Sequence, residues 1–216
     1  MYRLLKAIGN ISMLGFGFAG TAEATVRAGW RMNPRPMPGQ FAGLLDHKWR
    51  LAYRNPGETL GQFGFEAGMT VLDGGCGTGL FTLEMARMVG KTGTVHAVDL
   101  QRRCIELASE KVAVAKLTDR VQFHHCGLYQ LPLADESVDL SVLIATLGEV
   151  PDPYLAMAEV RRVTKPGGRV ALSEELLDPA FVSAAANKRI MAESGFRYGG
   201  IVRSVFAYSM IFFRDA

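Results

Sequence analysis

Val71-Leu72-Asp73-Gly74-Gly75-Cys76-Gly77-Thr78-Gly79 decides how the rest of this chain is read. A short apolar run ends on an acid, a glycine-dense turn follows, and the helical stretch Leu80-Phe81-Thr82-Leu83-Glu84-Met85-Ala86 begins at once. Glycines let a ligand approach bare backbone, and a helix N-terminus presents N–H groups with no intrahelical partner. A second run, Val95 to Asp99, also stops on a carboxylate, 26 positions after Asp73. An acid closing the second strand is the usual partner of a ribose diol. The pattern implies a pocket for a nucleoside-containing cofactor. The plainer reading, a tight turn with no ligand, leaves the paired acid unexplained.

The glycine spacing bears on which cofactor. Dinucleotide folds want G-x-G-x-x-G. Here Gly75, Gly77 and Gly79 follow Asp73 as D-x-G-x-G-x-G, and the position three after Gly77 is Leu80. Further along, Gln122 to Asp139 reads Q-F-H-H-C-G-L-Y-Q-L-P-L-A-D-E-S-V-D, with the apolar run Leu140-Ser141-Val142-Leu143-Ile144 behind it. Gly148-Glu149-Val150-Pro151-Asp152-Pro153, a helical stretch to Val163 and Lys165-Pro166-Gly167-Gly168 complete the series.

These segments, in this order, resemble the motifs of class I S-adenosylmethionine-dependent methyltransferases. The likeness runs from about Phe41 to the C-terminus. It is closest to small-molecule enzymes of the ubiquinone/menaquinone-biosynthesis type and their arsenite-methyltransferase-like relatives. The resemblance implies S-adenosyl-L-methionine as cofactor, with Asp73 facing its amine and the Gly75, Cys76, Gly77 and Gly79 backbone facing its carboxylate. Asp99 would take both ribose hydroxyls, with Leu100, Gly127, Leu128 and Ile144 completing the cofactor site. It also implies a Rossmann-like, doubly wound α/β fold with a mostly parallel seven-stranded sheet, the last strand antiparallel and inserted between the fifth and sixth. One position departs from the family: an aspartate that meets the adenine amino group in relatives falls on Gly127. Adenine would then rest on the Leu128 N–H, apolar packing or a neighbour such as His125. A missing hydrogen bond costs roughly 1 kcal/mol, so cofactor affinity is expected in the micromolar range.

Composition agrees with one α/β domain. The chain has 216 residues, 49% hydrophobic and 21% charged, enough for a sizeable core. Cys76, Cys104 and Cys126 are few and widely spaced, which argues for free thiols and against a disulfide framework or zinc site. Arsenite methyltransferases hold the metalloid with several thiolates, whereas Cys76 lies inside the cofactor loop and Cys104 on the following helix, so an arsenic acceptor is not expected. Neither is any metal. Residues 1–54 carry eight Lys/Arg against Glu23 and Asp46, a net of +6, and the rest of the chain nets −3. A basic N-terminal quarter thus precedes a mildly acidic domain. With no aromatic–basic stacking motif, nucleic acid is not an expected partner.

Three divisions follow: a leader over 1–29, a Pro-rich connector and cap over 30–65, and the cofactor-binding domain over 66–216. The leader begins with Arg3 and Lys6, has a diluted apolar centre and reaches Ala22-Glu23-Ala24. It reads three ways: a secretory signal, a helix at the membrane surface, or a segment packed on the domain or mobile. It is too short and broken to span a bilayer. A cytoplasmic protein, with peripheral membrane contact through residues 1–29, is the location this suggests.

Strands are expected at 69–73, 94–99, 121–125, 138–144 and 169–174, with a closing pair at 197–203 and 205–213. Helices are expected at 80–89, 102–117, 153–163 and 179–194. Ligands in such sheets bind beyond the carboxyl ends of the strands, which puts 144–150 beside the reacting centre and singles out Glu149 as the candidate catalytic or orienting residue. His124 and His125 alternate faces of one strand, so at most one reaches the pocket; His96 reads as structural, and His47 sits in the cap with Trp49 and Tyr53. The expected activity is methyl transfer to a small, apolar acceptor by in-line displacement. A non-catalytic S-adenosylmethionine-binding or regulatory domain, and a nicotinamide-dependent oxidoreductase, are the alternatives.

Overall fold

The computed structural model describes residues 27–30, 32–37, 43, 46 and 48–215. Most of the leader, and His47, lie outside them. The backbone forms helices α1 (Lys48–Tyr53), α2 (Pro56–Leu60), α3 (Leu80–Met88), α4 (Arg102–Val114), α5 (Pro153–Val163) and α6 (Ala184–Glu193). The strands are β1 (Thr70–Gly74), β2 (Thr94–Asp99), β3 (Val121–His125), β4 (Val138–Ile144), β5 (Thr164–Glu175), β6 (Phe196–Arg203) and β7 (Ala207–Arg214). They build one seven-stranded sheet in the order β3-β2-β1-β4-β5-β7-β6. The first five strands are mutually parallel, and β7 runs antiparallel to β5 and β6. The doubly wound sheet with an inserted, reversed last strand is therefore present.

Central strands of such a sheet are covered on both faces and need apolar residues throughout. Val71 and Leu72 in β1, and Val142 and Leu143 in β4, are essentially inaccessible. Successive residues point to opposite faces, so these pairs feed two cores. Leu72, Leu143, Leu172 and Met210 pack with Met157 of α5 and Met191 of α6. Val71, Val95, Ala97 and Val142 pack with Met85 of α3 and Ala108 and Val112 of α4. Leu60 and Phe63 belong to this second core and are fully buried, so the end of the expected cap is tied into the sheet.

Three boundaries differ from expectation for visible reasons. The helix expected over 179–194 begins at Ala184, capped by Ser183, whose side chain accepts from the Ala186 N–H. Ahead of it, the Asp178 carboxylate accepts from Ala180 N–H (2.7 Å) and Phe181 N–H donates to Asp178 O (3.1 Å), which turns the chain, and the Tyr208 hydroxyl donates to Val182 O from β7. Strand β5 starts five residues early, because Thr164 already pairs with Val138 and the Lys165-Pro166-Gly167-Gly168 turn becomes an irregularity inside the strand. Helix α4 stops at Val114, and Lys116 then takes a left-handed conformation.

Candidate functional site

A cavity of about 810 Å³ opens at the carboxyl edge of the sheet, within the size range of small-molecule sites. Every expected site residue except Gly79 lines it. The loop after β1 supplies Gly75, Cys76 and Gly77, the end of β2 supplies Asp99 and Leu100, and the loop after β3 supplies Gly127 and Leu128. Ile144 and Glu149 come from the end of β4 and the 3-10 turn Leu147–Glu149 behind it.

The glycine turn is built by close approach. Gly75 has φ +81°, and a Cβ there would sit 2.6 Å from two atoms of the Thr146 side chain. The Thr146 hydroxyl in turn donates to Gly74 O (3.0 Å), tying the β1 loop to the β4 exit. Gly79 faces elsewhere: at φ +79°, a Cβ would meet the Ala108 Cβ at 2.7 Å. This close approach lets α3 start against α4.

The main-chain donors of the turn are largely spent inside the protein. Gly75 and Cys76 N–H both donate to Val98 O (2.9 Å each), and Gly79 N–H donates to Cys76 O. Gly77 N–H donates to Asp99 Oδ2 (2.9 Å), while Asp99 Oδ1 accepts from Gln101 N–H (2.8 Å). The Gly75, Cys76 and Gly79 N–H groups thus already have acceptors within the protein. Among the described residues, the cations of the lining are Arg35 and Arg50.

The carboxyl groups are unusually placed. Asp73 is buried at the end of β1 and accepts from the Thr82 hydroxyl (2.6 Å). Burial pushes its pKa up to about 7, opposed by the Thr82 bond and helped by the charge of Asp99. Burial also raises Asp99, against the pull of its two backbone donors. Glu149 is lifted to about 8, first by burial and then by the charge of Asp178. Among the described residues, Asp73, Asp99, Glu149, Glu175 and Asp178 share the lining with the guanidiniums of Arg35 and Arg50. Such a wall suits a positively charged ligand and opposes an anionic one.

Sequence reasoning missed a second group of lining residues. Arg50 clasps Glu175 with Nε (3.0 Å) and Nη2, and the Tyr53 hydroxyl donates to Glu175 Oε2 (3.1 Å). Arg54 lies behind, donating to the Ser173 hydroxyl (2.7 Å). The carboxylate of Glu175 is held below its usual range by this pair of arginines and Tyr53 despite burial. Glu175 ends its strand as Asp73 and Asp99 nearly end theirs, so the strand-end rule could have found it. Arg50, Tyr53 and Arg54 share one helical face, a spacing signal equally open to reading.

Trp30, Arg35, Pro36 and Met37 also line the cavity. Met37 N–H donates to Glu149 Oε1 (3.1 Å), and Gln101 Nε2 donates to Met37 O (2.9 Å). Of the described histidines, His96, His124 and His125, none lines the cavity. His96 Nδ1 and His124 Nε2 lie 3.1 Å apart, and His125 Nε2 reaches Leu100 O (3.0 Å). The thiols of Cys76, Cys104 and Cys126 line the cavity and are raised by burial, hence neutral. Among the described residues, no group of three or more His, Cys, Asp or Glu side chains converges as a metal site.

Comparison with known proteins agrees with this architecture. A family model described as "Methyltransferase domain" matches residues 65–205. The chain is 35% identical over 132 residues to the demethylmenaquinone methyltransferase of Shouchella clausii, covering 61% of this chain and 53% of that protein. It is 37% identical over 111 residues to the enzyme of the same name from Staphylococcus aureus, covering 51% and 45%. The chain thus spans about half the length of the curated relatives it matches. Among solved structures, a SAM-dependent methyltransferase from Aquifex aeolicus superposes with a TM-score of 0.78 at 28% identity, covering 83% of this chain and all of that one. Geranyl diphosphate C-methyltransferase from Streptomyces coelicolor shares the fold alone, with a TM-score of 0.64 at 16% identity over 74% of each chain. With a family match over most of its length and the matching strand order, this chain belongs to the class I S-adenosylmethionine-dependent methyltransferases.

Proposed function

We propose that the chain transfers a methyl group from S-adenosyl-L-methionine to a small, apolar acceptor. The observation that carries this is the gathering of Asp73, Gly77, Asp99 and Leu128 around one cavity whose wall is rich in carboxyl groups. That lining fits the cofactor's amine, ribose and sulfonium. When bound, the cofactor supplies an activated methyl on a good leaving group. The protein's own task is alignment and exclusion of water. Asp99 has a lone pair left on each oxygen beyond its two backbone bonds and is assigned to the ribose diol. Asp73 is assigned to the amine, and Arg50 to the neighbouring carboxylate. Gly127 and Leu128 face the adenine. Glu149, beside the β4 exit, is assigned to orient the acceptor, and its protonated form can donate to an acceptor oxygen.

The relatives' printed names point to a quinone-type ring as acceptor, and the scarcity of cations in the wall is consistent with a neutral one. No helix of the described residues is long and apolar enough to cross a membrane. A cytoplasmic enzyme that meets its membrane through residues 1–29 is the location we favour. Thermal-shift screening tests the reading. S-adenosylhomocysteine should stabilise the protein and NAD(P) should not, and Asp99→Ala should abolish the response. A shift with NAD(P) alone would restore the oxidoreductase alternative. Transfer of labelled methyl to a demethylated quinol separates an enzyme from a binding domain.

A further inference from the structure

The turn after β6 and the segment after β5 form an apolar rim beside the cavity mouth. Leu176, Leu177, Val202, Val205 and Phe206 are all exposed, Val205 at 81%. They are joined: Leu176 N–H donates to Phe206 O (2.7 Å), and the Phe206 ring meets Tyr53 edge-on at 5.7 Å between centroids. Leu177 and Tyr53 also line the cavity, so the rim runs into the site. Cations flank it. Arg203 is exposed beside Val202, and the Arg27 guanidinium donates to Leu176 O while lying over the Phe181 ring. Of the nearest carboxyl groups, Glu175 is buried against Arg50 and Asp178 is only partly exposed.

We propose that this rim docks the protein on an anionic lipid bilayer, with the cavity mouth turned to the surface. Apolar side chains on a tight turn enter the interfacial region, and arginines beside them meet the headgroups. Arg27 and Arg35, in the basic N-terminal quarter, have the sign such a surface attracts. A second copy of the chain is the poorer occupant: it would bring the same cations into contact, and five apolar side chains fall far short of the roughly 20–30 residues a stable interface uses on each side. The proposal rests on the apolar-acceptor reading above in one respect: a lipid-soluble acceptor would pass from the bilayer into the mouth without crossing water.

The test is flotation of the full chain with phosphatidylglycerol–phosphatidylcholine vesicles and with phosphatidylcholine vesicles alone. Wild type should float with the first and little with the second. V202D/V205D, at exposed positions outside the cavity lining, should lower the floated fraction at least about fivefold, as charge is driven against the interface. Arg203→Glu provides a second variant that leaves the apolar side chains intact and should weaken binding to the anionic vesicles alone. Val114→Asp, at the exposed end of α4 on the opposite edge of the sheet, should float like wild type. Failure of wild type to float, or equal flotation of all four proteins, would overturn the proposal. So would a fall in molar mass by light scattering in V202D/V205D with flotation unchanged, which would assign the rim to a second copy. The response to S-adenosylhomocysteine, measured on the same samples, reports separately on the methyltransferase reading.

Discussion

Gly127→Asp should tighten cofactor binding. The glycine lies on the cavity wall between Leu100 and Leu128, and a Cβ added there meets only the Leu100 Cδ1, at an ordinary 3.6 Å. Its φ is not in the left-handed region, so a side chain carries no backbone strain. An aspartate here would accept from the adenine amino group. Hydrogen bonds to charged groups contribute about 1.5–3 kcal/mol net. The surrounding carboxyls and the ordering of the new side chain reduce that, so about 1–2 kcal/mol is expected, a tightening of roughly 5- to 30-fold. Calorimetric titration with S-adenosylhomocysteine measures it, with Gly127→Ala as the control for shape alone. The alanine variant should match wild type within about twofold, since its methyl fits the space. If Gly127→Asp folds with wild-type thermal stability yet binds no tighter, adenine does not lie against this wall.

Three other perturbations follow from the same geometry. Glu175→Leu leaves Arg50 and Arg54 buried without their carboxylate and should cost about 3–5 kcal/mol in urea unfolding; a loss under 1 kcal/mol would show that the cluster contributes nothing to stability. Gly148→Ala drives a Cβ to 1.8 Å from Ala180 O, so the Glu149 and 178–182 loops must part, with an expected cost of about 1–3 kcal/mol and a fall in methyl transfer; unchanged values would refute the contact. Glu174, buried with Asn187 and the Val182 N–H, is raised to about 8 by burial. Its folded state holds a proton more tightly than the unfolded chain does, so stability declines as pH rises from about 4.5 toward 8. Glu174→Gln should flatten that decline in urea titrations across the range, and an unaltered slope would contradict the assignment.

Much of the framework was readable because it is local. The acid-then-glycine turn at Asp73–Gly79, the second acid at Asp99 and the apolar run over 138–144 state their conformation within a few residues. Strands β2, β3 and β4 and helix α5 fall on the expected residues. What escaped depends on distant partners. The start of α6 moved because Asp178 and Tyr208 bond the preceding loop. The tight approach of Gly79 to Ala108, 29 positions away, also had no local signal. His125 turns to Leu100 O. Arg50 and Glu175 are 125 positions apart, so their pairing carried no local signal at all.

The central claim is that Asp99 and the Gly77 loop hold one cofactor at the carboxyl edge of the sheet. A crystal structure with S-adenosylhomocysteine tests it most directly. Both ribose hydroxyls should lie within hydrogen-bond distance of the Asp99 carboxylate, with the amino-acid tail beside Asp73 and Arg50. Density for the ligand anywhere else, or a ribose turned away from Asp99, would contradict the account.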